Sequence, residues 1–134
     1  MRLCPSAEND GPRPGRVAIE VDVRPEATTI LVRGELDLVT MPALVAPLAQ
    51  VALDKPRRLV FDLAGTPFLD CGSARLIAGS GQWLRDGGRP VIRRPGPGVR
   101  RVLGLTGLDA CCEIEELTVG KGCVRISEQS GAGR

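Results

Sequence analysis

Arg58-Leu59-Val60-Phe61-Asp62-Leu63 is followed at once by Ala64-Gly65-Thr66-Pro67 and then by Phe68-Leu69-Asp70-Cys71-Gly72-Ser73. The first six residues form a short apolar run between Lys55-Pro56 and a turn that contains glycine and proline, which is typical of a buried strand. A helix is predicted from Gly72 to Leu84, ended by Gly87-Gly88, because apolar residues recur at helical spacing: Leu76, Ile77, Trp83 and Leu84. A buried strand that leads through a short loop into a helix is the unit of an α/β fold.

The N-terminal part of the chain predicts a hairpin and a further helix. Residues 17–23 and 28–34 are expected to be strands, and Pro25-Glu26-Ala27 between them a turn, so that the two strands pair antiparallel. Thr40 is expected to cap a helix over residues 41–52. Pro42 is harmless in its first turn, whereas Pro47 predicts a kink or a break.

The C-terminal part continues the alternation, with a strand at 90–93, a helix at 99–105 and a last short strand at 110–114. The chain is therefore expected to be one α/β domain with a mixed β-sheet. An N-terminal antiparallel hairpin precedes parallel strands joined by right-handed crossovers, and about three to four helices cover the sheet. Residues 1–15 predict a disordered leader, 16–120 the domain, and 121–134 a C-terminal extension that ends in a loose tail.

Composition argues against several classes of function. The 134 residues include no histidine, which removes the commonest general base and most zinc catalysis. Aromatic residues make up only 2% and the net charge is +2, so neither base stacking nor strong steering to phosphate favours direct binding of nucleic acid. The densest basic stretch is interpreted as a solvated helix face: Arg93, Arg94, Arg100 and Arg101.

Cysteine spacing and hydropathy set the expected compartment. The five cysteines have no CxxC spacing, so no disulfide framework, metal site or cofactor is expected. No apolar run approaches the roughly 18 residues of a membrane span, and the first residues lack the apolar segment of a signal peptide. The cytoplasm is the expected location, with no contact to a membrane.

Two acids follow two of the predicted strands. Gly34-Glu35-Leu36-Asp37 ends the second strand, and Asp70 follows the third. Where these strands are neighbours, both acids lie at the same end of the sheet, at which α/β folds gather their functional loops. The alternative role for each acid is that of a loop or cap residue that accepts hydrogen bonds from backbone N–H groups.

The order of these segments resembles the STAS domain of bacterial anti-sigma factor antagonists, over about residues 17–117. The resemblance is carried by Gly34-Glu35-Leu36-Asp37, by the strand and loop from Val60 to Asp70, by Gly87-Gly88 before a strand, and by Val99-Arg100-Arg101-Val102-Leu103 followed by Thr106-Gly107-Leu108. It implies a STAS-like fold and a non-enzymatic function. Such a domain binds an anti-sigma factor, usually a kinase of the GHKL type, in partner switching and so regulates sigma-factor-dependent transcription.

The resemblance also implies which residues contact the partner. They are Glu35, Asp37, Thr40, Asp70, Cys71, Gly72, Ser73 and Arg75. In the family the loop typically reads Asp-Ser-Ser/Thr-Gly, and the residue two after the acid is phosphorylated. Here that position is Gly72, and Ser73 is rotated by about 100° around the helix. Phosphorylation is therefore expected to be absent or weak, with Ser73 as the only nearby acceptor.

Two other functions remain open from the sequence. One is a phosphorylation-independent STAS-type scaffold or ligand-binding module, which Gly72 fits. The other is a redox-responsive antagonist in which Cys71 pairs with Cys111 or Cys112, of which strand alternation would point only one toward the helix. The competing interpretation of Cys71 is a small buried residue that fills space in the core.

Overall fold

A six-stranded mixed sheet organises the chain, and the computed structural model describes residues 16–118 and 122–125, with the side chains of residues 16–115. The strands are β1 Ala18–Val23, β2 Thr28–Arg33, β3 Leu59–Gly65, β4 Val91–Arg93, β5 Glu113–Thr118 and β6 Gly122–Arg125. The α-helices are α1 Val45–Asp54, α2 Cys71–Gly79 and α3 Pro97–Thr106. Three short 3₁₀ turns occupy Met41–Leu44, Ser80–Trp83 and Leu108–Cys111.

The strands follow one another across the sheet in chain order. β1 and β2 pair antiparallel, β2 to β5 run parallel, and β6 returns antiparallel to β5. The predicted hairpin and the predicted parallel strands are thus confirmed. β6 lies within the segment assigned to a C-terminal extension and was missed, and the predicted leader (1–15) and loose tail (129–134) lie outside the described residues.

One face of the sheet carries the apolar core. Alternate residues of β3 project to this face, namely Leu59, Phe61 and Leu63, and all three are fully buried. The inner sides of the helices pack on them with residues that include Leu48 of α1 and Ile77 of α2. With few aromatic residues available, the core consists of leucine, isoleucine, valine and alanine, together with Cys112, around a single phenylalanine.

Acidic residues on the opposite face of the sheet are buried and paired with arginines. Asp62 of β3 accepts a hydrogen bond from the Arg94 guanidinium. Glu115 of β5 accepts one from Arg93 Nε at 2.9 Å and one from Arg58 Nη2 at 3.3 Å. The interpretation of the basic stretch as a helix face is therefore wrong for Arg93 and Arg94, since the first lies in β4 and the second directly after it.

The first predicted helix is divided differently from expectation. Residues Met41–Leu44 form a 3₁₀ turn and α1 begins at Val45, so the break lies before Pro47 and not at it. Pro47 is the third residue of α1, where its missing N–H removes no helical hydrogen bond. Pro42 lies in the first turn of the 3₁₀ segment, as predicted.

The later elements also differ at their ends. α2 stops at Gly79 and a 3₁₀ turn continues to Trp83, where Gly81 packs so closely on the Gly88 carbonyl that no side chain fits. The last parallel strand begins at Glu113, because Leu108–Cys111 form a 3₁₀ turn instead of the predicted strand. Among the described residues, no helix has the length and apolar character needed to cross a membrane.

Gly34 fixes the exit of β2 toward the loop that follows. Its φ of +114° is open to glycine and rarely to other residues, and its N–H donates to the Gly65 carbonyl at 3.0 Å. A Cβ at this position would lie 2.6 Å from the Arg16 carbonyl oxygen. The glycine therefore lets two chain segments approach each other at the end of the sheet.

Gly34→Ala is expected to lower the free energy of unfolding by about 1–3 kcal/mol, because the new methyl group meets backbone and the φ value becomes strained. The matched control is Gly104→Ala in α3, where a Cβ meets nothing within 4 Å. There alanine raises the free energy of unfolding by up to about 1 kcal/mol through its helix propensity. Urea denaturation followed by circular dichroism measures both, and equal effects of the two variants contradict this account of Gly34.

Candidate functional site

Two loops at the carboxyl ends of β2 and β3 are joined by backbone hydrogen bonds. Leu36 N–H donates to the Phe68 carbonyl at 3.1 Å, and Asp70 N–H donates to the Leu36 carbonyl at 3.0 Å. Leu36 and Leu69 form the corresponding parallel bridge, and both side chains are buried. The acids that directly follow this pair, Asp37 and Asp70, are thus brought to the same edge of the sheet, as the sequence predicted.

Asp37 organises the first loop. Its Oδ1 accepts the backbone N–H groups of Val39 at 2.9 Å and of Thr40 at 3.0 Å. The hydrogen bond from the Thr40 backbone N–H is the main cause that lowers the pKa of Asp37, and the bonds from Val39 N–H and the Thr40 hydroxyl lower it further against the effect of desolvation. The carboxylate is therefore ionised at neutral pH and holds the loop in a tight turn.

The Thr40 side chain also stabilises this turn. Its hydroxyl donates to the Glu35 carbonyl at 2.6 Å and accepts the Asp37 backbone N–H at 3.0 Å. Thr40 makes no side-chain capping bond to the turn that it precedes. The prediction that Thr40 caps a helix is therefore wrong, because its hydroxyl is used within the loop on its N-terminal side.

Asp70 is the N-cap of α2. Its backbone is extended, with φ −90° and ψ 175°, and its Oδ1 accepts the Ser73 backbone N–H at 2.8 Å. This is the arrangement that satisfies one of the free N–H groups of a helix N-terminus. The cap role considered for Asp70 is thus observed, and Ser73 supplies the N–H that is capped.

Residues 72 and 73 point in different directions, as the rotation of about 100° per helical residue requires. Gly72 is exposed, whereas Ser73 is fully buried and its Oγ has no hydrogen-bond partner among the described residues. A Cβ on Gly72 would meet only Asp70 Oδ1, at 3.8 Å, so that position has room for a larger residue. The hydroxyl of Ser73 is thus enclosed in the protein.

The remaining predicted contact residues divide by exposure. Glu35, Cys71, Gly72 and Arg75 are exposed, and Asp37 and Asp70 are half-buried. Thr40 and Ser73, at 5% and 0% exposure, are buried, so their side chains do not reach the surface that a partner would contact. Their inclusion among the predicted contact residues is corrected: both act by fixing the backbone beneath that surface.

Three exposed apolar residues lie at this edge that were not among the contact residues predicted from the sequence. Leu38 is 79% exposed, Val39 72% and Phe68 41%. Leu38 and Val39 form the tip of the loop held by Asp37, and Phe68 belongs to the adjoining loop. The signal in the sequence was the position of large apolar residues between a strand end and a helix start, where polar turn residues are the rule.

The cysteines do not form the arrangement that a disulfide switch needs. Cys71 begins α2 at the carboxyl end of the parallel strands, whereas Cys111 and Cys112 precede β5 and lie at the opposite end. All three are free thiols. Burial is the main cause that raises the pKa of Cys112 to about 12, so this thiol stays protonated. Because Cys71 lies at the opposite end of the sheet from Cys111 and Cys112, the predicted pairing of Cys71 with either of them is wrong for this fold.

Comparison with known protein families agrees with the observed fold. The STAS domain family matches residues 18–118, which is most of the chain. The chain belongs to the STAS domain family. The resemblance found in the sequence is thereby confirmed, and the match covers the sheet from β1 to β5 together with all three α-helices.

Proteins similar to this STAS domain include anti-sigma factor antagonists. It is 27% identical over 96 residues to the anti-sigma-F factor antagonist RsfB of Mycobacterium tuberculosis, covering 72% of this chain and 79% of RsfB. A crystal structure of an anti-sigma factor antagonist from Mycobacterium paratuberculosis is 30% identical, with a TM-score of 0.69 over 76% of this chain and 87% of that one. The unphosphorylated antagonist SpoIIAA shares the fold at 23% identity, with a TM-score of 0.62 over 75% and 89% of the two chains.

In this STAS domain, Asp70→Ala is expected to lower the free energy of unfolding by about 1 kcal/mol, because the Ser73 N–H loses its acceptor.

Ser73→Ala is expected to leave the free energy of unfolding unchanged or to raise it, since a buried hydroxyl without a partner costs about 1–3 kcal/mol. Urea denaturation of both variants measures these values. A loss of more than about 1 kcal/mol in Ser73→Ala would mean that the hydroxyl has a partner in solution.

Proposed function

We propose that this chain is an anti-sigma factor antagonist that binds an anti-sigma factor, without catalytic turnover, at two joined segments: the loop 34–40, and the loop 66–70 with the first residues of α2 up to Arg75. The main support is that backbone hydrogen bonds join these segments into one ordered edge at the start of α2. The chain also belongs to the STAS domain family, and proteins similar to it include antagonists. The family resemblance supports a GHKL-type kinase as the anti-sigma factor. Release of the sigma factor for transcription then follows from occupancy of the anti-sigma factor.

The physical character of the edge suits docking. Leu38, Val39 and Phe68 supply exposed apolar area, which is favourable to bury against a partner. Glu35 and Arg75 supply charges of opposite sign around it, and such charges favour correct orientation and fast association. Because backbone hydrogen bonds already order both loops, little conformational entropy is lost when the partner binds.

Control by phosphorylation is proposed to be absent from this antagonist. Position 72 has no hydroxyl, and the neighbouring Ser73 hydroxyl is enclosed, so a kinase would have to unfold the start of α2 to reach it. A phosphate there adds about −1.5 to −2 charges, which is how modification at such a site disrupts docking. An antagonist without this control is competent to bind whenever it is present.

Arg75→Glu is expected to raise the Kd for the anti-sigma factor at least about tenfold, equivalent to 1.4 kcal/mol, since it reverses an exposed charge one turn from the start of α2. The control is Arg85→Glu, the same change at an exposed residue beyond the other end of α2. Arg75 is a cleaner probe than Asp37 or Asp70, whose carboxylates also hold backbone N–H groups.

Isothermal titration calorimetry against the purified anti-sigma factors of the source organism measures this difference, with circular dichroism to verify that each variant is folded. Equal weakening by Arg75→Glu and Arg85→Glu contradicts the assigned edge. Absence of binding to every anti-sigma factor contradicts the proposed function itself.

Incubation of the chain with the anti-sigma factor kinase and ATP is expected to leave it unmodified, because no reachable hydroxyl lies at the start of α2. Gly72→Ser is expected to gain a phosphate, since that position is exposed and has room for the side chain. Intact-mass spectrometry measures the added phosphate. Stoichiometric phosphate on the unaltered chain that disappears in Ser73→Ala would show that Ser73 is an acceptor after all.

A further inference from the structure

α1 exposes a row of apolar residues on its outer side. Its ten residues contain one charged side chain, Asp54, at the last position. Pro47, Leu48 and Val51 face the core. Gln50 and Asp54 are exposed beside the apolar row and are joined by a hydrogen bond of 3.0 Å. The row itself presents apolar side chains where a surface helix normally presents polar ones.

Four exposed apolar residues of α1 lie on its outer side, and we name them the α1 face: Val45, Ala46, Ala49 and Leu53. Val45 is 61% exposed, Leu53 is 77% exposed and both alanines are exposed. At 100° per residue these four side chains fall within an arc of about 100° along the whole helix. Ala49 at the middle is smaller than Val45 and Leu53 at the two ends, which leaves a shallow groove into which another helix fits closely.

The loops that precede and follow α1 carry charges of opposite sign, and Asp54 adds one acid at the basic end. Glu35 and Asp37 lie ahead of the helix on the loop that leads into it, and Lys55 and Arg57 lie directly after it. Two copies of the chain placed antiparallel about a twofold axis at the middle of α1 would set the acidic end of each against the basic end of the other. Two parallel copies would oppose like charges, which is unfavourable.

We propose that a second copy of this chain covers the α1 face, forming an antiparallel twofold dimer in which Ala49 lies near the axis. In this arrangement, Val45 of each copy packs near Leu53 of the other, as the self-complementarity of a twofold interface requires. The apolar centre supplies the favourable burial, and the charged ends set the direction of the pair. The apolar centre of this interface lies outside the docking edge, whereas Glu35 and Asp37 belong to both surfaces. The dimer does not depend on the proposed function.

Sedimentation equilibrium of the full chain between about 1 and 500 µM tests the dimer. The unaltered chain is expected to dimerise within this range, and Ala49→Glu is expected to raise the dimer Kd at least about tenfold by placing like charges at the axis. The matched control is Leu105→Glu, because Leu105 is 80% exposed on α3, outside the α1 face. Ala49 and Leu105 are both exposed, so neither change removes a core contact, and circular dichroism verifies the fold.

The antiparallel direction has its own test. Glu35→Arg and Arg57→Glu are each expected to raise the dimer Kd, and the double variant is expected to recover most of the loss because the complementary charges are restored in exchanged positions. A chain that stays monomeric over the whole range overturns the proposal, as does a dimer that Leu105→Glu disrupts and Ala49→Glu does not. A dimer that Ala49→Glu disrupts without any rescue in the double variant overturns the antiparallel arrangement.

Discussion

The two hydrogen bonds that link Leu36 to the backbone of Phe68 and Asp70 are the constraint on which the functional edge depends. They extend the parallel pairing of β2 and β3 beyond the regular sheet, and the buried side chains of Leu36 and Leu69 anchor the extension in the core. Each leucine is followed directly by an aspartate. The position of both acids, and of the loop tips beside them, is therefore set by a pair of buried apolar residues.

The position at which α2 begins determines what the edge presents. Because Asp70 caps the helix, Cys71 and Gly72 occupy its first two positions and face outward, and Ser73 turns inward. A shift of one residue in the start of the helix would rotate the serine by about 100° and change which group meets the solvent. The capping carboxylate thus decides both the stability of the helix end and the absence of a reachable hydroxyl.

The ion pairs of the buried acids on the other face of the sheet help to position the loop before α2. Arg94, which is paired with Asp62, has a left-handed backbone with φ +54° and leads into α3. At the start of α3, Gly98 packs so closely on the Pro67 carbonyl that no side chain fits between them. Pro67 belongs to the loop before α2. Asp62 is buried and Arg94 is exposed, so loss of the arginine would leave the buried carboxylate without its counter-charge. The Asp62–Arg94 pair therefore favours this chain of contacts.

The sequence by itself determined the order of the elements, the hairpin, the parallel strands and the family, because hydrophobic periodicity and turn residues are local signals. It also determined that Gly72 lacks a hydroxyl and that Ser73 points elsewhere, since helix geometry alone relates neighbouring residues. It did not determine the break before Val45, the short turn at Leu108–Cys111 or the strand at Gly122–Arg125. Nor did it show that Thr40 is buried, that Leu38 is exposed, or that Cys71 and Cys111 lie at opposite ends of the sheet. Those properties depend on which segments meet in space, and burial and separation are decided by contacts between residues far apart in the chain.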